Sequence, residues 1–161
     1  MTQTIKDNKH VFEQKRQFCT FILEDQLFGV NILDVKEINA TTEFTPIFHA
    51  PPEIKGYVNI RGQIHLIIDL RLLMGYKIRD IDKSSRLVLF KPSIGENFGV
   101  LVDKIGDVVN VDETQIEERS GSNSSPGQPP SARDQALNNL ASFVCKLEDQ
   151  LLVILDAKKL L

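Results

Sequence analysis

The chain has 161 residues, 42% of them hydrophobic and 25% charged, with a formal net charge of −3. That is enough apolar chain for one domain, or for two small lobes that share a core. The acidic balance excludes non-specific nucleic-acid binding, which needs a basic surface, and no apolar run is long enough to span a bilayer.

Residues 1–15 are polar and read as a flexible N-terminal segment. They lack the apolar run of a signal peptide, so the expected location is the cytoplasm. Residues 17–23 read as a strand, Glu24-Asp25-Gln26 as a turn and Leu27 to Val30 as its hairpin partner. Ile32, Leu33, Val35 and Ile38 then suggest a helical turn leading back into a strand. Pro46, Pro51 and Pro52 forbid a long helix in the next segment. Gly56 to Ile60 and Ile64 to Leu70 predict a second hairpin around Arg61-Gly62-Gln63, with Gly62 free to take positive φ. Leu70 to Met74 forms a short helical finish closed by Gly75.

The order then repeats. Phe28-Gly29-Val30 returns as Phe98-Gly99-Val100, an offset of 70 (98 − 28). Leu66-Ile67-Ile68-Asp69 returns as Val153-Ile154-Leu155-Asp156, an offset of 87 (156 − 69). The second copy predicts strands over 86–91, 97–102, 108–111, 140–147 and 150–155, and a helical end over 157–161. Residues 120–131 are Ser, Gly or Pro apart from Asn123 and Gln128, a linker composition that accounts for most of the growth in offset. Short strands at regular spacing predict an all-β fold of two repeated lobes packed on a shared core. The expected division is a lobe over about 27–85, a lobe over about 86–155 and a mobile insertion over 120–139. Segments 16–26 and 156–161 are expected to pack across both lobes.

Catalytic and metal chemistry have little support. The chain carries no Gly-rich phosphate loop, HExxH, CxxC or GxSxG, and His10, His49 and His65 lack metal-ligand spacing. His65 alternates with Ile64 and Leu66 and is expected to face solvent or a partner. Cys19 and Cys145 sit among apolar strand residues and read as buried thiols. Asp69 and Asp156 hold equivalent places and read as helix caps rather than an acid–base pair. Arg61 stands in a turn that does not need arginine, and the equivalent turn, Leu147-Glu148-Asp149, has none. Its role is a local ion pair, a packing stem or recognition of a partner, and the sequence leaves these open.

The run from Ile54 to Arg71, Ile-Lys-Gly-Tyr-Val-Asn-Ile-Arg-Gly-Gln-Ile-His-Leu-Ile-Ile-Asp-Leu-Arg, resembles the signature of the CheW family of chemotaxis coupling proteins. The Phe-Gly-Val stretches and the closing Leu-Leu-Val-Ile-Leu-Asp fit the same family, and the likeness extends over about 16–161. Gly29, Gly56, Asn59, Gly62, Asp69, Gly99 and Asp156 are its structural motif positions. The resemblance implies two five-stranded barrels on a common core and no enzymatic activity, cofactor or metal. It implies a free-standing adaptor, a monomer when alone, joining the cytoplasmic tips of chemoreceptors to the regulatory domain of the histidine kinase CheA. The receptor tip would lie in a groove between the lobes that includes Val35, Glu37, Arg61, Ile105 and Val108. Leu87 is a candidate for the kinase contact. The same fold in an array for twitching or gliding, or a receptor-specific coupling protein, is the alternative. A purine-binding role lacks a phosphate-cradling loop. Three features depart from the family: Leu66 where Pro is usual, Phe143-Val144-Cys145 where Gly is common, and the longer Ser/Gly/Pro tract.

Overall fold

The computed structural model describes residues 15–119 and 131–161. The expected looseness of 1–15 therefore falls outside the described residues except for Lys15, and that of 120–131 except for Ser131. Twelve strands are present among the described residues. They are β1 (Lys15–Leu23), β2 (Gln26–Asn31), β3 (Val35–Asn39), β4 (Ile54–Ile60), β5 (Gln63–Asp69), β6 (Arg86–Phe90), β7 (Phe98–Val102), β8 (Lys104–Ile105), β9 (Val109–Asp112), β10 (Ile116–Glu118), β11 (Ala141–Lys146) and β12 (Leu151–Leu155). Helix α1 (Leu70–Leu73) follows β5 and helix α2 (Ala132–Leu140) precedes β11.

The strands form two sheets. One has five strands in the order β3-β6-β7-β5-β4; the other has seven, in the order β10-β11-β12-β2-β1-β8, with β9 also on β1. The fold is the expected all-β, two-lobed one, but the lobes are not the two halves of the chain. Hairpin β1–β2 belongs to the sheet that holds β8 to β12, and hairpin β6–β7 to the sheet that holds β3 to β5. The division at 85/86 is thus corrected: each repeat lends its first hairpin to the other. Two parallel pairings close the exchange. Phe28 faces Val153 and Gly29 faces Ile154 across β2 and β12, while Leu66 faces Phe98 and Ile67 faces Gly99 across β5 and β7. Both pairings obey the sequence offsets, 98 − 28 = 70 and 153 − 66 = 87.

The unequal strand numbers have a simple origin. β8 and β9 are one interrupted strand, both antiparallel to β1, matching the place of β3 beside β6. β10 beside β11 matches the single bridge Thr45–Tyr57 beside β4.

Alternation along each central strand divides its side chains between two cores. Val88 and Phe90 of β6, Phe98, Val100 and Val102 of β7, Ile68 of β5, and Val153 and Leu155 of β12 enter a shared core. Cys19, Phe21, Phe28 and Val30 meet them from the β1–β2 hairpin. The intervening residues fill private cores. Phe18, Leu27, Val111, Cys145, Leu152 and Ile154 do so in the seven-stranded lobe, and Val58, Ile60, Ile67, Leu87, Leu89 and Leu101 in the other. Strands buried on both faces explain why the sequence reads there as continuous apolar runs. Both cysteines are buried, and burial pushes their thiol pKa values up.

The segment 131–140 departs from the expected insertion over 120–139. It is a capped helix, not a mobile loop. The Ser131 hydroxyl accepts from the Asp134 amide at 3.1 Å and the Asp134 carboxylate accepts from the Ser131 amide at 3.4 Å, a reciprocal cap. Leu140 is part of the shared core, with Ala136 and Leu137 against it. Gly75, at φ 84°, lets α2 approach, since a β-carbon there would lie 2.8 Å from the Arg133 amide nitrogen.

The two repeat glycines differ in what they tolerate. A β-carbon on Gly99 would meet the Val88 carbonyl oxygen at 2.7 Å and Leu89 Cδ2 at 2.6 Å; on Gly29 the nearest atom is Leu152 Cδ1 at 3.1 Å, a side chain able to yield. Gly99→Ala should therefore cost about 1–3 kcal/mol, as overpacking does. Gly29→Ala should cost clearly less, and urea unfolding of the two variants measures the difference.

Candidate functional site

β3 and β8 lie at the ends of their sheets, so each presents one unpaired edge. Val35 on β3 and Ile105 on β8 are half-buried, and both rest on the shared core. They therefore approach that core from different lobes. β8 is held against β1 by the pairing of Ile105 with Phe21 and by the Gly106 amide donating to the Thr20 carbonyl at 2.9 Å. The buried Thr20 hydroxyl donates to the Asp107 carbonyl. That fixes the loop in which Val108 stands half exposed, at 50%.

Glu37 follows Val35 across an irregularity in β3 and is partly buried. Its carboxylate accepts from the Arg61 guanidinium, so the structure joins these two sequence-predicted residues in one ion pair. Arg61 and Gly62 both have positive φ, 52° and 84°, the backbone of a two-residue turn matched to strand twist. The Asn59 side-chain oxygen accepts from the Gly62 amide at 2.9 Å and holds that turn. The guanidinium remains mostly exposed, at 66%. Local pairing and an outward-facing cation thus coexist in one residue.

Gly56, at φ 138°, meets the bridge at Thr45, whose carbonyl oxygen would lie 2.3 Å from a β-carbon. Asp69 accepts from the Arg71 amide at 3.0 Å and Asp156 from the Lys158 amide at 3.1 Å. These are matching caps on α1 and on the short 3-10 turn after β12. Burial raises the Asp69 pKa.

Two expectations are corrected. Leu87 is fully buried in the private core of the five-stranded lobe, because β6 lies between β3 and β7 with both faces covered. It cannot touch a partner. His65 does not face outward, for it is 2% exposed while its neighbour Ile64 is 51% exposed. Its pairing with Val58 puts it on the inner face, with Nδ1 3.1 Å from the Gln63 carbonyl and Nε2 without a partner among the described residues.

A buried ionic cluster escaped the sequence reading. Arg71, 5% exposed, donates to Asp103 and Glu24, and its Nε donates to the Lys77 carbonyl at 3.1 Å. The Glu24 amide donates to the same Asp103 carboxylate at 3.0 Å. Arg79 adds a contact to Asp103 at 3.3 Å. The hydrogen bond from Arg71 lowers the Glu24 pKa. Arg71 ends the run that carries the family likeness, which was the one available signal. Among the described residues no His, Cys, Asp or Glu group is arranged to hold a metal ion. No helix of the described residues is long and apolar enough to cross a membrane.

The Arg61–Glu37 pair is exposed, so its contribution to stability is small, about 0–1 kcal/mol. Arg61→Ala should leave the thermal unfolding midpoint within a few degrees of wild type, read by circular dichroism.

The chain matches the CheW-like domain family over residues 17–161. It is 33% identical over 110 residues to "Chemotaxis protein CheW" of Rhizobium meliloti (strain 1021), covering 68% of this chain and 70% of that one. It is 26% identical over 156 residues to "Chemotaxis protein CheW" of Helicobacter pylori, covering 97% of this chain and 85% of that one. The crystal structure of the scaffolding protein TtCheW from Thermoanaerobacter tengcongensis superposes with a TM-score of 0.71 at 27% identity, covering 88% of each chain. With its sheet order, core and turn motifs in place, the chain belongs to the CheW family, whose members are chemotaxis scaffolds rather than enzymes.

Proposed function

We propose that this protein is the cytoplasmic coupling adaptor between chemoreceptors and the histidine kinase CheA, acting as a monomer until its partners assemble it into an array. The observation that carries this reading is the pair of free edges, β3 and β8, from which Val35 and Ile105 rest on one shared core. Val35 and Ile105 would form the apolar floor of the groove, with the Glu37–Arg61 pair and exposed Val108 at its rim. An amphipathic helix of a receptor hairpin would pack into such a groove through a few apolar anchors and a polar rim. Arg61 would meet a receptor carboxylate while keeping its contact to Glu37. The kinase would dock its own domain of this fold lobe against lobe. Leu87 would lie beneath any such surface on the five-stranded lobe and not in it.

Val108 is exposed in a loop outside all three cores, so a charge there desolvates badly on binding but costs the free protein little. Titration against a receptor cytoplasmic hairpin and, separately, against the CheA regulatory domain tests the reading. Val108→Asp is expected to weaken receptor binding by more than tenfold with kinase binding and the unfolding midpoint unchanged. Receptor binding at wild-type strength by this variant would remove Val108 from the groove, and failure of the wild type to bind either partner would sink the adaptor reading.

A further inference from the structure

The two crossings between lobes are related by the repeat but are built differently. Chain passes from β2 to β3 through Leu33, and from β7 to β8 through Asp103, equivalent positions by the offset of 70 (103 − 33). Leu33 is 69% exposed and bonds only through its backbone, its amide donating to the Asn31 side chain at 3.0 Å. The Asp103 side chain is 8% exposed and receives Arg71, Arg79 and the Glu24 amide. The position equivalent to Arg71 is Lys158 (158 − 71 = 87), which is exposed and makes no ion pair among the described residues. One crossing therefore folds with no ionic clamp, so the fold itself does not require one.

The clamped crossing is the one that leads into the candidate groove. Asp103 directly precedes β8, which carries Ile105, and Val108 follows three residues later. β8 is only two residues long and pairs with β1 through Phe21 and Ile22 alone. So short an edge strand has little ladder of its own to hold it. Arg71, from the five-stranded lobe, reaches Asp103 just before it, and Glu24 joins from the β1–β2 turn of the other lobe. A guanidinium is suited to this, because its planar fork holds two carboxylates in fixed directions, which an ammonium cannot. The Tyr76 ring lies 5.7 Å from the Arg71 guanidinium carbon, and Arg133 of α2 covers the same ring at 4.2 Å.

We infer that Arg71 is a positioning residue for receptor binding: by clamping Asp103 and Glu24 it fixes β8 against β1 and so sets the placement of Ile105 and Val108 relative to Val35. This rests on the receptor-groove reading above. The clamp predicts a local effect, whereas a purely structural ion pair predicts a global one.

The test uses Arg71→Lys, which keeps the charge and loses the fork, and Asp103→Asn, which keeps the shape and loses the charge. Amide hydrogen exchange is followed by NMR in the full chain, alongside titration with the receptor hairpin. In both variants exchange at Lys104 and Gly106, whose amides face β1, should rise at least tenfold while amides of β11 and β12 keep wild-type rates. Receptor affinity should fall about tenfold or more. Wild-type exchange at Lys104 and Gly106 in both variants overturns the inference whatever the affinity does. A uniform rise across all strands also overturns it, because Arg71 would then serve stability alone. If local exchange rises but wild-type protein does not bind the hairpin, the clamp on β8 stands and the receptor-groove reading falls with the role assigned to the clamp.

Discussion

Two-sided burial of the central strands is the constraint on which the rest of this structure depends. In β5, β6, β7, β2 and β12, alternate side chains enter a shared core and a private one. Neither face of these strands can be released to solvent without exposing a row of Val, Leu, Ile or Phe, each worth about 1.5–3 kcal/mol when buried. Register follows from this. A slip by one residue would exchange the two sets, sending Phe90 and Phe98 into a space built for Leu89 and Leu101. Gly99 exists for the same reason, because β7 passes so close to β6 that no side chain fits at that point.

The exchange of hairpins turns two small repeats into one molecule. Each lobe alone would be short of core, as small domains are. By lending β1–β2 to one sheet and β6–β7 to the other, the chain crosses the shared core twice, and neither lobe contains its strands without the other repeat. The two lobes are therefore expected to unfold together. Among the described residues, edges remain only at β3, β4, β8, β9 and β10, and β4 is partly covered by the bridge to Thr45. The free edges β3 and β8 belong to different sheets, and each carries a half-buried residue, Val35 or Ile105, against the same shared core.

Charge is placed where this geometry leaves room for it. Buried Arg71 is acceptable because three acceptors surround it, and loss of any of them would leave a costly unpaired group. Arg61 sits at the opposite extreme, on a turn and mostly exposed, with a single carboxylate beside it. The first is enclosed where the two lobes meet, and the second keeps most of its side chain in solvent.

Much of this was legible in the sequence because the signals are local. Strand positions follow from apolar runs and turns, the repeat from two constant offsets, and the caps at Asp69 and Asp156 from Asp preceding a short helical segment. Gly62 beside Arg61 announced the tight turn. Helix α2 could have been read from Ser131-x-x-Asp134, but the Ser/Gly/Pro tract before it suggested a longer loop. What the sequence left open depends on which strand lies beside which. Leu87 and His65 each look like candidates for a surface until β7 and β4 are placed against their strands. The hairpin exchange is equally hidden, since a strand's own pattern shows that it is buried but not by whose residues. Arg71, Glu24 and Asp103 are separated by up to 79 positions, and only the meeting of the two lobes makes them a cluster. Local chemistry thus determined the elements and the family, and the pairing of apolar faces across the chain decided which residues support the site and which can reach a partner.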